Sequence, residues 1–272
     1  MKIAVILGRV LNPAGIVVNR RRGRIFVNRE EYVMQPADRC ALEAALQIKD
    51  GSEAEVIALP RDLLPGDAVG SADVLRRALS MGADRAVNFT GRASDVDDAG
   101  MTHVLAAAVE RLGGVDLVLT GATTWDTGQS QLGPRLAEVL DWPQVVDAWA
   151  VRVIDDRAEV VCQILSSPVR GDRGGGSGYS IFEVDLPAVV TVHPGALKSR
   201  YPDGVRLINV YRDDGVVEQW DVAEMVDTGN LVPLLEKRGQ DFPPQRERGV
   251  QLEGTPQEMA KALAGELKKR IG

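Results

Sequence analysis

The stretch VDLVLTGATTWDTGQSQLGPRLAEVLDW, residues 115–142, decides how this chain is read. Residues 115–120 form a nearly continuous apolar run, of the kind that fills a strand buried on both faces. Residues 132–142 carry apolar side chains at helical spacing. Between them the chain supplies glycine, threonine, serine, glutamine and aspartate, with no bulky aliphatic residue until Leu132. Such a loop offers backbone N–H groups and small side chains at a helix N-terminus, which together form a cradle for an anion or phosphate. Gly121, Gly128 and Gly133 permit close backbone approach by a ligand. Thr127, Gln129, Ser130 and Gln131 can donate hydrogen bonds to phosphate oxygens. The stretch points to nucleotide binding, with an ordinary strand-to-helix turn as the competing explanation.

Working outward, further strand-like runs occur at KIAVIL (2–7), AEVIAL (54–59), RAVNF (85–89) and PAVVTV (187–192). Helical patterns separate them. Residues 36–50 open on Pro36, residues 71–82 have Ser71 as a cap and Gly82 as a stop, and residues 95–114 begin among acids and end at Gly113-Gly114. This alternation predicts an α/β fold, a doubly wound and mostly parallel sheet. Ligands bind such sheets at the strand C-termini, so the loops after Leu7, Leu59 and Thr120 should converge. Beyond residue 145 the pattern changes. Residues 151–165 and 179–186 read as antiparallel strand additions, with the glycine-rich 170–178 joining the later pair. Little periodicity follows residue 200 until a terminal helix capped by Thr255, and residues 238–250 read as a polar arm or linker. The expected division is a nucleotide-binding α/β domain at 1–235 and a C-terminal arm with its helix at 236–272.

Composition removes several functions. A net charge of −7 and a pI near 5.1 argue against non-specific nucleic-acid binding and suit a cytoplasmic protein. Cys40 and Cys162 stand far apart, and His103 and His193 show no metal-binding spacing, so neither a disulfide framework nor a metal site is expected. The N-terminal apolar run is too short for a signal peptide, and no run is long enough to span a membrane. The glycines at 174–178 fit neither the dinucleotide nor the P-loop fingerprint and read as a hairpin connection. Asp95, Asp97 and Asp98 sit where a helix N-terminus favours acids without any ion. Cys40 and Cys162 read as core, and His193, just past a strand, has no nucleophile to pair with. No catalytic constellation assembles, which suggests binding or cofactor support with the chemistry carried elsewhere.

Several segments together resemble the β subunit of electron transfer flavoproteins, the FixA type. They are LGRV (7–10), QPADRCALEAAL (35–46), LRRALSMGADR (75–85), the strand, loop and helix of 116–140, LPAVVTV (186–192), SRYP (199–202) and PPQRERGV (243–250). The resemblance spans nearly the whole chain and implies an adenine nucleotide α-hydrolase-like sheet. It implies a heterodimer with an α subunit that bears FAD, carrying electrons between an acyl-CoA or other dehydrogenase and a downstream acceptor. It also implies that this chain holds an adenine nucleotide, AMP or, in electron-bifurcating relatives, a second FAD. By position, the cofactor contacts would be Ile6, Leu7, Gly8, Gln35, Pro36, Ala37, Asp38, Arg61 and Gly121. They continue through Trp125, Asp126, Thr127, Gly128, Gln129, Ser130, Gln131, Leu132, Gly133, Pro134 and Leu136. The partner-binding segment would be Ala196 and Leu197, within a recognition loop near 193–202, with Arg200 and Tyr201 at a subunit or flavin interface.

The chain departs from the family's pattern in four places. Gln129-Ser130 replace a Thr-Gly in the loop, and Gln35 replaces an asparagine. Leu197 follows Ala196 where an anchor leucine stands one residue earlier, and YRDDG (211–215) replaces a lysine-rich run. The alternative reading is a stand-alone ATP- or AMP-binding protein of the universal-stress type, which shares the broad sheet architecture.

Overall fold

A computed structural model describes residues 1–63, 68–91, 96–165, 177–235, 238, 249 and 251–271. The elements follow the chain as β1 (Lys2–Leu7), β2 (Arg9–Leu11), β3 (Ile16–Asn19), β4 (Arg24–Val27), β5 (Tyr32–Met34), α1 (Pro36–Asp50), β6 (Glu55–Pro60), α2 (Ala68–Met81) and β7 (Arg85–Thr90). They continue as α3 (Asp98–Leu112), β8 (Leu117–Gly121), α4 (Leu132–Leu140), β9 (Gln144–Ile154), β10 (Arg157–Leu165), β11 (Ser177–Asp185), β12 (Ala188–Val192), α5 (Gly204–Arg212), β13 (Glu218–Asp221) and α6 (Pro256–Ile271).

Side-chain alternation along the central strands builds three layers. In β1, Ile3, Val5 and Leu7 face one side, where Leu42 and Leu46 of α1 and Leu75 and Leu79 of α2 cover them. Ala4 and Ile6 face the other side, under Val104 and Leu105 of α3 and Leu132 and Leu136 of α4. Strands covered on both faces must be apolar at every position, which is why their sequences run without a polar alternation. The nine-stranded sheet has the order β11-β10-β9-β12-β8-β1-β6-β7-β13. Strands β9, β12, β8, β1, β6, β7 and β13 pair in parallel, whereas β9, β10 and β11 form an antiparallel extension at one end. The doubly wound α/β fold expected from the sequence is therefore present, with its antiparallel additions.

Several local expectations change. Helix α2 begins at Ala68, so Ser71 lies inside it rather than at its cap, while Gly82 (φ +130°) does end it. Asp97 caps α3, accepting from the Ala99 and Gly100 N–H groups at 3.1 Å each; Asp95 lies outside the described residues. Residues 151–165 are two strands folded back at Asp155-Asp156. The stretch after residue 200, without visible periodicity, contains α5 and the edge strand β13. Residues 166–176, with most of the glycine-rich connection, and all but Arg238 and Gly249 of the 238–250 arm fall outside the described residues.

The chain divides into two compact units, Met1–Glu236 and Lys237–Gly272. In the second, Thr255 and Glu258 form a reciprocal cap at the start of α6: the Thr255 N–H donates to Glu258 Oε2 at 2.8 Å. Among the described residues no helix is long and apolar enough to cross a membrane.

Candidate functional site

Strand order reverses between β1 and β8, which opens a crevice at their C-terminal ends. Asp38 occupies its floor. Pro36 begins α1, its fixed φ suiting the first helical position, and this sets Asp38 in the first turn, pointing at both strand ends. The fully buried carboxylate accepts from the Gly8 N–H at 2.7 Å and from the Gly121 N–H at 2.9 Å. Burial pushes its pKa up to about 6, against the opposing pull of Arg61 and the two backbone donors. The Arg61 N–H donates to the Leu7 carbonyl at 2.9 Å, so the loop after β6 joins the same cluster. The loops after β1, β6 and β8 thus converge. Around them, burial raises the Asp62 carboxyl, and Asp126 and Asp98 add to the rise while Arg61 opposes it.

Glycine is required here by the protein itself. A Cβ on Gly121 would lie 2.4 Å from Asp38 Oδ1, and one on Gly133 would lie 2.4 Å from Thr191 Cγ2. The sequence assigned that space to a ligand; the chain's own side chains fill it. Gly128 (φ +69°) is different: nothing lies near it, and the turn needs its left-handed backbone. The turn closes on itself through Thr124. The Thr124 N–H donates to the Gln129 carbonyl at 2.8 Å, its hydroxyl meets that of Thr127 at 2.7 Å, and it accepts from the Gln129 N–H at 3.0 Å.

What the turn leaves open is the start of α4. Gln131 takes the cap position without a side-chain cap bond, and among the described residues no acceptor meets the N–H groups of Ser130, Gln131, Leu132 or Gly133. Beside this helix end, Gln35 Oε1, Arg61 Nη2, Thr120 Oγ1 and Asp98 Oδ2 are buried without a hydrogen-bond partner. Arg61 Nη2 and Asp98 Oδ2 stand 3.8 Å apart, close enough for charge attraction but too far for a hydrogen bond. The Gln35 amide donates to the Thr123 carbonyl at 2.6 Å, so its oxygen is held in place with nothing to accept from. A cavity of about 390 Å³, lined by Thr123, Ser130, Thr191 and His193, adjoins the same loop. A larger one, about 660 Å³, touches Met1 at the opposite end of β1 and lies away from this chemistry.

The proposed contacts divide by exposure. Side chains of Ile6, Leu7, Ala37, Asp38, Leu132 and Leu136 are buried in the protein, which leaves only their backbone for a ligand. Trp125 is 59% exposed, and Asp126, Thr127, Gly128 and Ser130 are also exposed. In the partner segment, Ala196 and Leu197 pack against the core, and the Cys40 thiol donates to the Leu197 carbonyl at 3.3 Å. The Arg200 guanidinium is engaged within the chain: it donates to both oxygens of Glu43, at 3.0 and 3.1 Å, and to Asp50 Oδ2 at 2.7 Å. Tyr201, in contrast, is 89% exposed.

Sequence reasoning missed one cluster. His193 Nδ1 lies 2.8 Å from Asp147 Oδ1, and the imidazole stacks on Trp149 with centroids 4.5 Å apart. Asp147 takes a left-handed backbone (φ +60°) where the pairing of β9 shifts register on both sides. Such a bulge re-aims side chains. No spacing rule brings together residues 46 positions apart.

Residues 24–224 match the family model described as the electron transfer flavoprotein domain. The chain belongs to the electron transfer flavoprotein family. Among similar proteins is the acryloyl-CoA reductase electron transfer subunit gamma of Anaerotignum propionicum, 27% identical over 99% of both chains. The electron transfer flavoprotein subunit beta of Bacillus subtilis is 27% identical over 98% of both chains. Protein FixA of Azotobacter vinelandii is 30% identical over 74% of this chain and 68% of its own. The chain is thus of the β-subunit type, with a role in electron transfer and a family association with flavin, and the stand-alone universal-stress reading is not favoured.

Proposed function

We propose that this chain is the β subunit of a heterodimer whose α subunit bears FAD, and that the crevice between β1 and β8 holds an adenine nucleotide, AMP or a second FAD. The observation that supports the nucleotide is the set of unsatisfied atoms at one sheet edge: Gln35 Oε1, Thr120 Oγ1 and Arg61 Nη2. Buried polar atoms in native proteins almost always have partners; the bare helix start and Arg61 suit a phosphate, Thr120 Oγ1 can donate, and Gln35 Oε1 and Asp98 Oδ2 can accept from the donors of a base or ribose.

Each group has a distinct part. The N–H groups of Ser130 to Gly133 and the positive end of α4 hold the phosphate. Gln35 presents an acceptor for a base or ribose donor, and Arg61 adds fixed positive charge. Asp38 touches no ligand; it ties the two loops at the spacing the crevice needs. A bound flavin would supply the redox chemistry between an acyl-CoA or other dehydrogenase and a downstream acceptor, while this chain's residues would position the nucleotide and the companion subunit. The chain itself acts as a carrier subunit in the cytoplasm, with the electron chemistry on the flavin. The test is to purify the chain with its companion subunit, denature the pair and identify released small molecules by mass. One FAD with one AMP, or two FAD, per pair is expected; a pair that releases one FAD and no second adenine nucleotide overturns the crevice assignment.

A further inference from the structure

Residues 9–34 leave the sheet directly after Gly8 and return at Gln35, so site residues flank both ends of the excursion. Its outer part, β3 and β4, is a two-stranded ribbon that contributes no residue to either core cluster. Val17, Val18, Ile25, Phe26 and Val27 are each between 42% and 57% exposed. Ile16 lies opposite Val27 and Val18 opposite Ile25, which gives one wholly aliphatic face; Val17 and Phe26 pair on the other. A lone two-stranded ribbon is marginal in water, and apolar patches on both of its faces call for a cover. The turn at its end is charged: Arg20, Arg21, Arg22 and Arg24 are all exposed. From Ile16 to Arg29 there are five arginines and no acid, in a chain whose net charge is −7.

We infer that this ribbon is an arm that grips the flavin-bearing companion subunit, entering a cleft with apolar walls and an acidic far end. The inference rests on the heterodimer proposed above. The order of residues favours a protein over a lipid surface. Entering a bilayer turn first would carry three adjacent arginines into hydrocarbon ahead of the aliphatic residues, and lying flat would leave one apolar face in water. Position favours the companion in particular. The arm rises from the same strand ends that frame the crevice, so a subunit closing over the crevice meets it. An acidic lining matches the arginines and excludes other basic surfaces.

The test uses the full-length chain and its purified companion. Affinity is measured at low and high salt for wild type, for R20E/R21E/R22E and for V18D/I25D, with circular dichroism as a fold check. Charge reversal is expected to weaken pairing about 10- to 100-fold at low salt and much less at high salt, as a screened interaction must. The apolar-to-acid variant is expected to lose about tenfold or more at both salts. Wild-type affinity in both variants overturns the inference. So does arm-dependent binding of the chain to phosphatidylglycerol vesicles with pairing unchanged. If wild type itself fails to pair, the heterodimer reading falls as well, and that failure is visible before any variant is compared.

Discussion

Asp38→Asn keeps the shape of the side chain at the floor of the crevice and removes its charge. The wild-type carboxyl is fully buried and titrates at about 6, raised from 3.8 chiefly by burial. Between those two values the folded protein holds a proton that the unfolded chain has released. Stability therefore falls as pH rises through this window and is highest below it. At about 1.36 kcal/mol per pH unit the window amounts to roughly 3 kcal/mol. The variant has no such dependence. It has a different cost: its NH2 must face one of the two donors, Gly8 N–H or Gly121 N–H, leaving that donor unmatched at ~1–3 kcal/mol at every pH. Urea unfolding of both proteins, followed by tryptophan fluorescence from about pH 4 to pH 7, separates the two effects. Wild type should lead clearly at the acid end, and its lead should shrink by roughly 3 kcal/mol toward neutrality. A difference that stays flat, or grows with pH, would mean that the backbone donors and Arg61 outweigh burial, and the reasoning fails.

Other substitutions read neighbouring contacts. Gly133→Ala sets a methyl 2.4 Å from Thr191 Cγ2 and should cost ~1–3 kcal/mol, seen as a lower melting temperature. Arg200→Ala strips the bidentate partner from Glu43, whose side chain is only 6% exposed, and should cost roughly 2–3 kcal/mol in denaturant unfolding. If its effect is confined to partner binding, the side chain is an interface group rather than a clamp on α1. Gln35→Leu removes the waiting acceptor together with the bond to the Thr123 carbonyl, so retained nucleotide per purified pair should fall about tenfold and stability should drop by ~1–3 kcal/mol.

The parallel core was legible because its strands are buried on both faces and say so residue by residue: KIAVIL and VDLVLT have no other use. Helices α1 and α3 carried end signals that held, Pro36 for one and Asp97 for the other. Where burial is slight, the pattern vanishes. Helix α5 buries Val210 alone, and β13 is the charged EQWD, paired at the sheet edge with β7. The β3–β4 ribbon was invisible because its apolar residues face solvent among arginines. The convergence of the three loops was legible, but two of their glycines serve packing within the chain. Gly121 and Gly133 make room for Asp38 and Thr191, contacts between residues 83 and 58 positions apart that no local rule anticipates. The pairing of His193 with Asp147 likewise depends on a bulge that leaves no mark in composition.

The most direct measurement is an anaerobic reductive titration of the purified pair, followed by the visible absorbance of its flavin. The account predicts a pair that is yellow as isolated, bleaches as electrons enter and recovers its colour when a competent acceptor is added. A correctly folded pair that carries no flavin, or whose flavin gives its electrons to no acceptor, would contradict it.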